Sequence, residues 1–172
     1  YGADEVAQYS YVGGDSSRPN TVWVTTRGTG MQPPANWTVF RSDDAGATWR
    51  ATFQGDPNFE VRNVRTGWVA LELGWGWGGP PIGFSVCTGN ADVAMYTNFG
   101  ELFITTDGGK SWYSGFARNT DGAPEARGQA WLSTGLNVTT CWDVACDPFR
   151  PDNVYIAYTD IGFGRSEDRG AS

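Results

Sequence analysis

The sequence predicts an all-β fold organised as an internal repeat, and three observations carry that prediction. Glycine and proline supply 24 and 9 of the 172 residues and aromatic residues another 25, a composition poor in helix formers. No stretch keeps apolar residues at i, i+3, i+4 and i+7 beyond two turns, whereas short aromatic and β-branched runs broken by Gly, Pro, Asn and Asp recur throughout. One template, Ser/Thr-x-Asp-x-Gly-x-Ser/Thr-Trp, appears as "SDDAGATW" at 42–49 and "TTDGGKSW" at 105–112, and all of it but the closing Trp returns as "SEDRGAS" at 166–172.

Each copy follows a run of strand-like text: "NTVWVTT" (20–26), "DVAMYTN" (92–98) and "NVYIAYTD" (153–160). The template aspartates Asp44, Asp107 and Asp168 are 63 and 61 residues apart, so strand, turn, strand, template and strand recur three times. The template's residue types suit a tight hairpin. A short carboxylate or hydroxyl accepts backbone N–H bonds, Gly takes a φ that other residues resist, and the indole, Trp49 or Trp112, anchors the hairpin in apolar packing. Such a set folds a turn and performs no chemistry by itself, so these five residues are expected to be structural.

The two complete motifs resemble Asp boxes, the hairpin signature of bacterial-neuraminidase-type repeats in the β-propellers of sialidases, sortilin-like receptors, xyloglucanases and photosystem assembly factors. The resemblance implies a β-propeller of four-stranded blades with the box between the third and fourth strands, on the periphery. The ~60-residue period fits a blade with an insertion, giving units of about 10–60, 61–125 and 126–172. Three blades do not close a ring, so the expectation is a partial propeller completed by additional polypeptide or another chain. The third hairpin stops one residue short of its Trp, which would leave an unpaired strand edge.

Composition also excludes classes of function. A net charge of −7 without a basic run argues against a nucleic-acid partner. No segment approaches ~20 apolar residues, so no membrane span is expected. Histidine is absent, which removes Ser-His-Asp and Cys-His catalysis and most zinc sites, and no Gly loop of phosphate-binding type is present; neither metal nor cofactor is expected. Three cysteines, Cys87, Cys141 and Cys146, read as buried free thiols. The sequons at Asn36 and Asn137 carry little information.

Residues 135–170, "GLNVTTCWDVACDPFRPDNVYIAYTDIGFGRSEDRG", resemble a stretch of xyloglucanase-type enzymes, glycoside hydrolase family seventy-four, that ends in Asp-Ile/Val-Gly-Gly-Phe. The resemblance puts the family's cleft-facing catalytic carboxylate at Asp160. One Gly of the pair is missing, and Asn137 stands where the family has Glu. Aligning "YTNFGELFITTDGG" with "YTDIGFGRSEDRG" sets Asn98 against Asp160, so one of the two copies is titratable; Asp before Gly also suits an ordinary turn. Glycoside hydrolysis usually needs a second carboxyl, and Glu72, Asp143 and Glu125 are the candidates near aromatic residues.

The insertion "GWVALELGWGWGGPPIG" (67–83) offers Trp75 and Trp77 on a glycine-rich loop, either as stacking platforms for sugar rings or as filler between blades. Trp142, Tyr158 and Trp131 are further platforms; alternation puts Tyr158 and Asp160 on one strand face. The resulting expectation is a secreted or extracellular, or periplasmic, carbohydrate-active propeller cleaving a polysaccharide or oligosaccharide by carboxylate acid/base catalysis. The alternative is a non-enzymatic propeller that binds a protein.

Overall fold

A computed structural model describes residues 9–26, 39–55, 62–73, 81–98, 101–120, 125–134, 141–159 and 162–171. These contain fourteen short strands and one helix. They fall into two compact units, residues 1–65 with 77–114 and residues 66–76 with 115–172.

In the first unit, β1 (Tyr9–Gly14), β2 (Val22–Thr26), β3 (Val39–Ser42) and β4 (Arg50–Ala51) form an antiparallel sheet in chain order. Alternation along each strand sorts its residues into two rows. Val12, Val24, Phe40 and Ala51 lie side by side on one face, and Gly13, Trp23, Arg41 and Arg50 on the other. The second sheet repeats this pattern with β6 (Gly83–Cys87), β7 (Asn90–Thr97), β8 (Leu102–Thr105) and β9 (Trp112–Ser114). Its rows are Phe84, Tyr96, Phe103 and Ser114 on one face, with Ser85, Met95, Ile104 and Tyr113 on the other. A fifth strand, β5 (Val64–Arg65), joins β9 in parallel, beyond the four strands expected of a blade.

The two sheets pack face to face through aromatic residues. Trp23 and Trp112 meet edge-on with centroids 6.2 Å apart, and Phe53 lies 4.7 Å from Tyr96. Val39, Ala94 and Phe103 complete this core. Burying rings of this size contributes roughly 2–3 kcal/mol each. Gly13 allows the approach, because a Cβ there would lie 2.7 Å from Val86 Cγ2. Each buried indole also finds an acceptor on the other sheet's side: Trp23 Nε1 donates to Ala91 O (3.1 Å) and Trp112 Nε1 to Thr52 O (2.9 Å). At one end, Asp92 accepts from Arg41 (2.7 Å) and pairs with Arg18, while the Arg41 guanidinium lies 5.0 Å from the Trp23 ring centroid.

The second unit holds α1 (Trp68–Leu73), the hairpin of β10 (Ala117–Asn119) and β11 (Trp131–Ser133), and an antiparallel sheet of β12 (Cys141–Cys146), β13 (Val154–Tyr158) and β14 (Phe163–Ser166). The helix falls in the insertion expected to be a loop. Its six residues, "WVALEL", contain no Gly or Pro and include good helix formers, which suffices for one and a half turns.

Repeated sheets of four antiparallel strands in chain order, stacked face to face, have the build of β-propeller blades. The chain is all-β and is built as part of such a fold. Cys87 and Cys146 depart from expectation: both thiols are free and exposed, because each closes a strand at the sheet's end rather than its middle.

Candidate functional site

In all three template hairpins the opening Ser or Thr hydroxyl bonds the Asp carboxylate, and the first two share a further pair of bonds. Asp44 Oδ1 accepts from Ser42 Oγ (2.7 Å) and Thr48 N (2.8 Å), and its Oδ2 from Thr48 Oγ1 (2.6 Å). Asp107 repeats this with Thr105 Oγ1 (2.9 Å), Ser111 N (3.0 Å) and Ser111 Oγ (2.6 Å). Ser166 Oγ donates to Asp168 Oδ1 (2.6 Å) in the third. The next two residues adopt positive φ in every copy: Ala45 and Gly46, Gly108 and Gly109, Arg169 and Gly170. The first of each pair donates its N–H to the backbone at or just before the start of the second strand of its sheet: Ala45 to Asn20 O (2.9 Å), Gly108 to Asp92 O (2.9 Å) and Arg169 to Asp152 O (2.8 Å).

These bonds favour the ionised carboxylate. Hydrogen bonds from the Thr48 hydroxyl and N–H and from Ser42 hold Asp44 at about 2. Burial pushes Asp107 up, but bonds from Ser111 and Thr105 outweigh it and its pKa is lowered. The two tryptophans diverge. Trp112 is fully buried in the core (0 % exposed), whereas Trp49 is 42 % exposed and donates to Gly46 O within its own hairpin (3.0 Å).

Sequence reasoning missed Glu101. Asn98 and Glu101 close the turn between β7 and β8: Asn98 N donates to Glu101 O (3.0 Å), and Glu101 N to Asn98 Oδ1 (2.8 Å). The residue is only 7 % exposed, and burial raises its carboxyl to about 7. Desolvation, then the nearby Glu101, likewise raises the Tyr96 phenol. The available signal was period two: Glu101 stands two residues before Phe103, which faces the core.

Among the residues expected to bind substrate, Trp142 is 73 % exposed. It sits in an irregularity of the β12–β13 ladder, next to the Cys141–Tyr158 pair, so Trp142 and Tyr158 come to the same end of this sheet. Tyr158 is half-buried, with its N–H bonded to Gly162 O (2.8 Å) across the turn to β14. Asp160, Trp75, Trp77, Asn36 and Asn137 lie outside the described residues. The ladders correct the repeat alignment, which had set Asn98 against Asp160. Ala94 pairs with Thr105 and Val154 with Ser166, so counting forward from these pairs sets Asn98 level with Tyr158.

The three candidate partner carboxylates stand in different surroundings. Glu72 on α1 accepts from Gly128 N (2.6 Å), and its backbone oxygen from Arg127 (2.8 Å), which ties the helix to the β10–β11 hairpin's connection. Asp143 is exposed and accepts from Val144 N (2.8 Å). Glu125 is half-buried. Among the described residues no cluster of His, Cys, Asp and Glu is arranged to hold a metal ion, and no helix is long and apolar enough to cross a membrane.

Sheet order and the repeated hairpins define an all-β protein assembled from propeller blades. No family model and no curated protein sequence matches the chain. It is similar in structure to an ancestral GH74 enzyme, at 16 % identity and a TM-score of 0.40, over 96 % of this chain and 18 % of that one. It is similar also to YCF48 bound to D1 peptide (16 %, TM-score 0.38, 94 % and 52 %) and to the GH74 xyloglucanase from Xanthomonas campestris (16 %, 0.37, 94 % and 22 %). The chain therefore spans about a fifth of the GH74 structures and about half of YCF48. The blade assignment rests on the chain's own strand order and packing.

Proposed function

We propose that this chain is part of a secreted, carbohydrate-active propeller, a polysaccharide hydrolase of xyloglucanase type, with Asp160 as its acid/base carboxylate. What supports the proposal is the exposed indole of Trp142, which comes to the same end of its sheet as Tyr158, a residue two positions before Asp160 in the sequence. A large apolar ring left in water suits stacking on the apolar face of a sugar ring. Trp75 and Trp77 would add subsites from the insertion, and the repeat frame of 10–60, 61–125 and 126–172 would place one specialised blade last. On this proposal Asp44, Asp107 and Asp168 tie turns and take no part in the chemistry, because their oxygens are occupied by their own hairpins.

The test is a polysaccharide screen for new reducing ends, followed by two variants. Asp160→Asn should abolish release, and Trp142→Ala should weaken oligosaccharide binding about tenfold or more, the scale of one lost stacking contact. Full hydrolysis by Asp160→Asn would sink the catalytic assignment. A second reading, a module that binds a protein, is favoured by Phe149 and Phe163, which are exposed on the same unit. Absence of hydrolysis and of oligosaccharide binding, with peptide binding lost in Phe163→Ala, would establish it instead.

A further inference from the structure

We propose that Arg150 and Arg165, on the sheet of β12–β14, form a carboxylate-binding pair that receives a different polypeptide, a β-sheet with an aspartate at the start of its second strand. The first sheet shows the same device with its acid in place. Arg41 Nη1 donates to Asp92 Oδ1 (2.7 Å), Arg18 Nη1 reaches the same oxygen (3.2 Å), and Asp92 lies at the start of β7.

Around this pair the first and third sheets correspond residue by residue. Their first two strands are joined by "DSSRPNTV" (15–22) and "DPFRPDNV" (147–154), so Arg150 stands where Arg18 stands. The backbone agrees: Thr21 N donates to Arg18 O and Asn153 N to Arg150 O, both at 2.9 Å. In the ladders Arg41 pairs with Trp23, itself opposite Gly13, and Arg165 pairs with Tyr155, itself opposite Ala145. Each of these two arginines precedes the opening serine of its template and bonds the acid two residues on, Arg41 to Asp43 (2.8 Å) and Arg165 to Glu167 (2.7 Å). The second sheet lacks the device, with Ile104 and Thr106 at the places of Arg41 and Asp43.

What the third sheet lacks is the incoming acid. The Arg165 side chain is 52 % exposed, and Arg150 is exposed and forms no ion pair among the described residues. Asp92 shows what such a pair does for a carboxylate: Arg18, then Arg41, hold it ionised, at about 2. An aspartate brought to Arg150 and Arg165 is bound in the same way, by two charge-assisted contacts. Another copy of this chain has no free acid to offer at that position. Its first sheet has Asn20 there, its Asp92 is held by Arg18 and Arg41, and its Asp152 is bonded to Arg169. Size constrains the partner further. A Cβ at Gly13 would stand 2.7 Å from Val86 Cγ2, and Ala145 has that Cβ, so the partner's facing residue is smaller than Val.

The probe is a synthetic peptide of residues 83–114 with Val86→Ala, which carries Asp92 and the text of β6–β9. Calorimetric titration of this peptide into the 172-residue chain should show one-to-one binding that weakens as salt rises. Asp92→Asn in the peptide should weaken it tenfold or more, and so should Arg150→Gln or Arg165→Gln in the chain, both at exposed positions. Arg18→Gln in the chain should leave it unchanged, since that arginine serves the first sheet. No binding, equal binding by the Asp92→Asn peptide, or binding that survives both arginine variants overturns the proposal. Binding lost in Arg18→Gln overturns it too, because the peptide would then have entered the first sheet's own interface. Sedimentation in which the chain pairs with itself through Arg165, without peptide, would overturn the choice of a different polypeptide.

Discussion

At the scale of single residues, Glu101 sets the sign of a pH dependence. Its carboxyl keeps a proton up to about 7 in the folded chain, against an ordinary value of 4.5. The folded state thus holds a proton that the unfolded chain releases, so stability falls as pH rises from 4.5 through about 7, by on the order of 3 kcal/mol, and is level above. Denaturation midpoints at pH 5 and pH 8 should show this loss, and Glu101→Gln should remove it. If the variant keeps the same difference between the two pH values, the effect belongs to another group. Asp44 and Asp92 work in the opposite direction. Each is held at about 2, Asp44 first by Thr48 and Asp92 first by Arg18, so their contribution is present above the ordinary 3.8 and lost as pH falls through about 2. Glu101 was hidden in the sequence because a lone Glu beside a Gly looks solvated; the one local signal of its burial is its two-residue offset from the core-facing Phe103.

Among the elements, the hairpins separate what a local motif dictates from what a neighbour decides. Ser/Thr, Asp and Gly at fixed offsets leave the turn little choice, and all three turns have the second positive-φ residue donating its N–H to the opening Ser/Thr hydroxyl and the same pair of positive φ angles. That part was legible. Which tryptophan is buried was not, since Trp112 has a sheet to enter and Trp49 does not among the described residues. The same contrast predicts unequal responses to substitution. Ala45 holds φ 58°, a strained value for an L-residue, so Ala45→Gly should stabilise the chain by about 1 kcal/mol. Gly109→Ala should cost roughly 2–4 kcal/mol, because its φ is +82° and the added Cβ would lie 2.5 Å from Thr52 Cβ. Thermal melts of both variants check the pair. Equal effects would mean that the turns do not differ in their surroundings.

Across the whole molecule, apolar burial is uneven. Among the described residues, the largest fully buried side chains all belong to the unit of β1–β9, while the other unit buries Ala117 below one-tenth exposure and leaves Trp142, Phe149 and Phe163 exposed. Amide exchange should therefore be slowest in β2, β3, β7 and β8 and markedly faster in β12–β14. Comparable protection in the two units would contradict the uneven core. Repeat architecture itself was readable from the spacing of three aspartates, but the extra strand β5 and the helix α1 fall in the insertions, where the period carries no information. The paired glycines of the second hairpin have a last consequence. A Cβ on Gly108 would stand 2.4 Å from Arg41 Nη1, and the third hairpin has Arg169 at that position, bonded to Asp152 instead. The three hairpins are alike in outline but not interchangeable at no cost: with the third hairpin's Arg in the second slot, the Arg41 guanidinium would have to move and give up its place on Asp92.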